Sequence, residues 1–542
     1  MTNIKNFLTR HSFFIVFMLA LGVYLGIKAV PENSWDGWRV GSAQALLSDK
    51  HWANDGFLKN YFLFLPQGYS KTVRYFDDPE LRQHARGTAT GELIGKRLYY
   101  THYPSGYLLP TALLMKLGVE NRFWFRFLEI IFSLAGLTFL YWFFTLISKS
   151  HLIALLGIFF YGASTIFLNY ADSLAANPVE ELLRPAIIAL SVVALKKPEK
   201  KYLKYLIWIL YFAFASSSFD STFFVFAWLI GLDFTMEKKI SPNKWLFWAS
   251  APIAAFGLQI LQNVWYLGWH DALLDQFGAF KVQILGSRNN FFITHLQRWL
   301  SPLGWFFGTK WHFGILASAA GIIAIKSIKK YFPDEIFNEK FLYLAFFATL
   351  FNFLFFPSLF FHQARAVSIF GGLLVGILTV YFFKIVRQTK QRCTAVLGIF
   401  VLVLSLWFIQ GKRTYAYIKN WPNNVWPIEN INFDKKIKNL IAGDKVIFQM
   451  LGSDQKIFGF DRYLMAASED EYYVGAPILG FTNTADLIRD FNYLKKRSEF
   501  PFSAIIITDK KEMIEKIGQK LLNYKARPVE KINDKFVLTI LQ

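Results

Sequence analysis

The sequence predicts a polytopic α-helical membrane protein with about eleven spans, followed by a small α/β domain outside the membrane. Three observations predict it. Hydrophobic residues fill 54% and aromatic residues 19% of 542 positions, with a mean hydropathy of +0.30, in too many long apolar runs for one soluble core. The net charge of +21 is dispersed in short clusters between those runs. After residue 410 the long apolar runs give way to short ones of a soluble kind.

The N-terminal MTNIKNFLTRHSFF starts basic and then runs apolar to Val30, with no small-residue cleavage site before Pro31, so it reads as a retained first helix. Basic clusters follow at Lys5 and Arg10, Lys149, Lys196 to Lys204, Lys238 to Lys244, Lys326 to Lys330 and Lys384 to Arg392. Read as cytoplasmic, each is separated from the next by room for two crossings, apart from the cramped stretch 205–235. At about 20 residues per span, this gives helices near 12–30, 123–147, 152–169, 181–195, 204–217, 221–235, 245–262, 301–325, 341–358, 366–384 and 393–410. The N-terminus is inside and the C-terminus outside. The motif SSSFDS leaves 205–235 barely long enough for its two spans.

Two domains follow, 1–410 in the membrane and 411–542 outside it. External loops lie at 31–122 and 263–300. In the tail, VIFQM, AIIIT and KFVLTILQ read as strands and KKEMIEKIGQKLLNY as an amphipathic helix. In the first loop, DGWRVGSAQALLSDK has Trp38, Ala45 and Leu46 on one side, and PSGYLLPTALLMKLG is apolar but short. Both suit helices lying at the membrane interface. No internal repeat is visible.

The dispersed charge argues against nucleic acid as a partner. The lone Cys393 excludes an internal disulfide and a thiolate metal cluster.

Asp36 in SWDGW, HYPSGYLLPTALLMKLG at 102–118, RFWFRFLEIIFSLAGLTFLYWFF at 122–144, NYADSLAANPVEELLRPAIIAL at 169–190 and FHQARAVSIFGGLLVG at 361–376 stand in a layout that resembles the GT-C glycosyltransferases. Protein O-mannosyltransferases and the aminoarabinose transferases of lipid A belong to that superfamily. The resemblance implies the GT-C fold in a cell membrane. It also implies transfer of a sugar, with inversion, from a polyprenyl-phosphate donor to a lipid, glycan or protein acceptor at the outer face.

The chemistry needs a base for the acceptor's proton and cations for the departing phosphate. Asp36 is the candidate base, with a helix cap as the plain alternative. Asp172 in NYADS is the second catalytic carboxylate, with simple solvation in a short loop as its alternative. Glu180 and Glu181 lie close behind, Glu180 as a substrate-binding candidate. Arg365 and His362 in FHQAR are the phosphate candidates, against snorkelling to headgroups. His102 sits where the resemblance implies a cationic phosphate ligand, although His-Tyr-Pro-Ser departs from the commoner Lys-Pro-Pro or Tyr-Pro-Pro. Lys96 and Arg97 are nearby substitutes. The loop 263–300, with His270, Asp271, Asp275, Arg288, His295 and Arg298, reads either as a lid over the donor or as an interfacial anchor. A divalent metal, Mg²⁺ or Mn²⁺, would suit oxygen ligands such as Asp36 and Asp172, and no spacing demands one.

Two other functions fit a multi-pass chain. A transporter or flippase would place charges in mid-helix, and an O-antigen polymerase or ligase would rely on arginines in a large late loop.

Overall fold

The computed structural model describes residues 2–36, 39–65, 99, 101, 103–219, 221–237, 242–285, 336–355, 373, 376–377, 412, 415–419, 428–440, 445–450, 478–481, 483–497 and 503–541. The spans read at 301–325 and 393–410 lie outside these residues, and 366–384 meets them at three positions only.

The first part of the chain is helical, with α1 (Thr2–Ala29), α2 (Arg39–Asp55), α3 (Leu109–Lys116), α4 (Arg122–Ser148), α5 (His151–Gly162), α6 (Thr165–Tyr170), α7 (Asn177–Lys196), α8 (Tyr202–Ala215), α9 (Thr222–Glu237), α10 (Pro242–Leu267), α11 (Trp269–Leu285) and α12 (Ile336–Phe355). Among the described residues, His11–Ala29, Arg122–Ser148 and Pro242–Leu267 are long and apolar enough to cross a membrane, and shorter apolar helices run alongside them. α2 and α3 pack together and bury Ala43, Ala45, Leu46 and Ala112 against Trp35 and Phe125, as the apolar side of the first loop requires.

The apolar run at 152–169 is two helices, not one. α5 stops at Gly162, and Ser164 caps α6 by accepting from Phe167 N at 3.2 Å. α7 starts earlier than the apolar run, at Asn177 with Pro178 in its first turn, and carries Glu180, Glu181 and Arg184 into the interior. It lies hard against α4: a Cβ on Gly136 would stand 1.9 Å from the Glu181 carbonyl oxygen, so only glycine permits this approach. α10 continues through Leu267, and Gly268, at φ +86°, turns the chain into α11.

After α13 (Ile428–Leu440) comes a mixed sheet. It is formed by β1 (Lys445–Met450), β2 (Ile478–Phe481), β3 (Ser503–Thr508), β4 (Lys525–Ala526), β5 (Glu530–Ile532) and β6 (Lys535–Leu541), in the order β2-β1-β3-β6-β4 with β5 also on β6. β1 is parallel to β2 and β3, whereas β6 runs antiparallel to β3. Alternation assigns the faces. Val446, Phe448 and Ile506 pack under α14 (Thr484–Arg497) and α15 (Lys511–Lys520), while Ile447, Ile505 and Val537 pack with Phe433 and Ile437 of α13. α13 also reaches the first loop: Ile431 joins the cluster of Trp35 and Trp52, and Lys435 Nζ is 2.9 Å from the Glu32 carboxylate.

Candidate active site

The end of α1 and the segment after it are clamped by arginines at the start of α4. Arg126 donates to Ser34 O at 2.8 Å, and Arg122 donates to Ser34 O at 2.7 Å and to the Glu32 carbonyl. The Arg122 guanidinium also lies 4.2 Å from the centre of the buried Trp35 ring. Ser34 Oγ closes the turn by donating to Lys28 O at 2.6 Å.

Asp36 follows directly and is 7% exposed. Ser42 Oγ donates to Asp36 Oδ2 at 2.5 Å, accepts from Leu174 N at 3.0 Å and lies 3.3 Å from Ser173 Oγ. One hydroxyl therefore joins the Asp36 segment, the first turn of α2 and the loop after α6. The Asp36 carboxylate meets the side-chain hydroxyl of Ser42, the fourth residue of α2.

Asp172 stands in that same loop and is fully buried. Lys28 Nζ is 2.7 Å from Oδ1, and Arg126 donates to Oδ2. Burial alone would raise the Asp172 carboxyl, but Arg126 and then Lys28 outweigh it and hold it below the usual carboxylate range. Lys28 also donates to Leu168 O at 2.8 Å. Asn169, whose carbonyl oxygen is 3.4 Å from Lys28 Nζ, accepts from Tyr417 OH at 2.9 Å through its side chain. Solvation in a short loop does not describe this aspartate.

Glu180 and Glu181 share one cation. Arg184 is 2.5 Å from Glu181 Oε1 and 3.5 Å from Glu180 Oε2, and Ser221 Oγ bridges Arg184 and Glu180 at 3.2 and 3.4 Å. All three charged side chains are buried. His270 is exposed in the first turn of α11. Lys96, Arg97, His102, His362 and Arg365 lie outside the described residues, as does Trp38.

Sequence reading overlooked Lys28, Ser42, Arg122, Arg126 and Tyr417. A signal for the arginines was present. Arg122, Arg126, Glu129 and Ser133 recur at spacings of four, three and four, a polar stripe on an otherwise apolar helix, and all four are buried. Ser133 Oγ extends the stripe by donating to Ala171 O at 2.8 Å. Asp49, on α2, is a further buried acid: burial pushes its carboxyl well up, and the hydrogen bond from Thr111 Oγ1 at 2.6 Å offsets this only in part.

No protein-family model matches the chain, and no curated protein matches it by sequence. Solved structures do match. ArnT from Cupriavidus metallidurans bound to undecaprenyl phosphate superposes with a TM-score of 0.53 at 10% identity, over 97% of this chain and 98% of that one. The apo form of that ArnT gives 0.50 at 10% identity over the same shares. The chain shares the fold of that ArnT along nearly its whole length. An oligosaccharyltransferase from Archaeoglobus fulgidus, in complex with Zn and sulfate, scores 0.48 at 8% identity over 91% of this chain and 67% of its own.

The two aspartates occupy adjoining segments joined through Ser42. Asp172 has a cation on each oxygen, which leaves it poorly suited to coordinate a metal. Among the described residues, no group of three or more His, Cys, Asp or Glu side chains is placed to hold a metal ion. Asp36 accepts from the Ser42 hydroxyl.

Proposed function

We propose that the chain is a membrane glycosyltransferase. It moves a sugar from a polyprenyl phosphate to an acceptor hydroxyl or amine at the outer face of the cytoplasmic membrane, with its N-terminus inside and its C-terminal α/β domain outside. The observation that carries the reading is the pairing of Asp36, bonded to Ser42 at 2.5 Å, with a separate and charge-compensated Asp172, in a chain of the GT-C fold. ArnT, which shares that fold along nearly the whole chain, was crystallised with undecaprenyl phosphate, and this supports the same class of donor here.

In this reading the acceptor oxygen or nitrogen attacks the anomeric carbon from the face opposite the phosphate. The new bond forms as the bond from carbon to phosphate oxygen breaks, and its electron pair leaves with the phosphate. The acceptor's proton passes to the Asp36 carboxylate. Asp172 does no proton transfer. With Lys28 and Arg126 it fixes the loop that carries Ser173 and Leu174, and through them Ser42. Arg365, His362 and the basic group around Lys96, Arg97 and His102 are assigned to the phosphate, where growing negative charge needs cations.

The test is transfer by purified protein in liposomes, with a panel of radiolabelled polyprenyl-phosphate sugars and extracted envelope acceptors. Label should move from at least one donor. Arg365→Ala should depress donor use strongly, and Arg365→Lys should restore only part, since an ammonium keeps the charge and loses the two-pronged donor. Donor lipid crossing the bilayer with no sugar transferred would establish a flippase instead.

A further inference from the structure

A second polar centre lies where α10 and α11 meet the first loop. Gln259 and Asn263, one turn apart on α10, and Gln276 on α11 all donate amide N–H groups to the carbonyl oxygen of Thr101, at 2.8, 3.1 and 2.8 Å. Thr101 Oγ1 in turn donates to Asp275 Oδ2. The turn at Gly268 brings the two helices onto this one residue.

Donors and acceptors are mismatched here. A carbonyl oxygen has two lone pairs, and three amides converge on it. Meanwhile Gln259 Oε1 and Asn263 Oδ1 are buried with no hydrogen-bond donor, on side chains 2% and 0% exposed. Such a deficit of donors beside a surplus of amides is unusual in a protein interior. A half-turn of each amide about its last bond exchanges nitrogen for oxygen with almost no change of shape. It would place three amide oxygens 2.8, 3.1 and 2.8 Å from the Thr101 carbonyl oxygen, a spacing that neighbouring ligands take around an ion with metal–oxygen distances of about 2.3–2.6 Å, with the Asp275 carboxylate alongside on Thr101 Oγ1.

We propose that Thr101 O, Gln259, Asn263, Gln276 and Asp275 bind a hard divalent cation of calcium size. Neutral amide and backbone carbonyls with one carboxylate are the ligand types calcium accepts, and the flexible amide arms fit its loose geometry better than the compact octahedron of magnesium. One negative charge among five oxygens points to a weak site, with a dissociation constant of about 10⁻⁴–10⁻³ M, as in extracellular modules. Bound there, the ion ties the first loop to the α10–α11 turn. The site is independent of the glycosyltransferase reading, since its ligands belong to neither aspartate's surroundings.

Terbium, which replaces calcium and glows when nearby aromatic rings are excited, is the probe. Tyr99 and Tyr266 stack edge-on at 5.1 Å, and Tyr61 and Trp265 at 5.4 Å, on residues next to the proposed ligands. Full-length protein in detergent, stripped with chelator, is titrated with Tb³⁺ and then back-titrated with Ca²⁺, Mg²⁺ or Na⁺. Saturable emission is expected, displaced by Ca²⁺ at lower concentration than by Mg²⁺, with at least tenfold weaker binding in the isosteric Asp275→Asn. Ca²⁺ should raise the melting temperature of the wild type and leave that of Asp275→Asn unchanged. No saturable emission from folded wild-type protein, or equal emission from Asp275→Asn, would make the cluster a hydrogen-bond clamp only. Equal displacement by Mg²⁺ would overturn the assignment of ion size.

Discussion

Asp36 and Asp172 lie on adjoining segments linked through Ser42, and different groups donate to their oxygens. Asp172 is enclosed by two cations that are themselves tied to backbone: Lys28 to Leu168 O and Arg126 to Ser34 O. Asp36 accepts from the Ser42 hydroxyl. A carboxylate between two buried cations is stabilised as an anion and gives up basicity. In the proposed mechanism the two aspartates divide the work, Asp172 holding the loops in place and Asp36 accepting the proton.

Breaking the Asp172 centre should give the largest loss of stability. Arg126→Met leaves a buried carboxylate with Lys28 alone, and removal of one partner from a buried ion pair costs about 3–5 kcal/mol. Denaturation in detergent measures this. A loss below about 1 kcal/mol would show that Lys28 compensates and that the two regions are less distinct than described. The pH dependence has a definite sign. Because the folded Asp172 carboxyl lies below its ordinary value, its contribution is complete above the unfolded value of about 3.9 and fades only as pH falls further, through the folded value. Melting temperatures between pH 8 and pH 5 should therefore show no loss from this residue.

Ser42→Ala sharpens the comparison from the other side. It removes the one hydroxyl that joins Asp36 to Leu174 and Ser173 and leaves the ion centre alone. A hydrogen bond to a charged group is worth about 1.5–3 kcal/mol, so the turnover number should fall by roughly ten- to a hundredfold, with the donor KM unchanged. A change in KM with an unchanged turnover number would place Ser42 in substrate binding instead.

Legibility followed the range of the interactions. Strands such as SAIIIT and the helix at Lys511–Lys520 could be read because alternation and amphipathic spacing are local signals. Asp36 stood out for its position after a recognisable span. The partners of Asp172 did not, since Lys28 is 144 and Arg126 46 residues away, and nothing local to NYADS says which cations will meet it. The break at Gly162 was hidden by continuous hydropathy, although Ser164 supplied a cap. Membrane helices with buried charge look like ordinary spans until the charges are read as a stripe, as at Arg122, Arg126, Glu129 and Ser133.

The account turns on which aspartate takes the proton, and the most direct measurement sets Asp36→Asn beside Asp172→Asn, comparing sugar transfer per folded molecule with thermal stability for each. Loss of a general base costs about 10²–10⁴ in rate. Asp36→Asn should show that loss, with melting temperature and donor binding near those of the wild type. Asp172→Asn should lose stability first, and its folded fraction should transfer sugar faster than Asp36→Asn does. Asp36→Asn turning over at more than about a tenth of the wild-type rate, with folded Asp172→Asn inactive, would contradict the account and assign the base to Asp172.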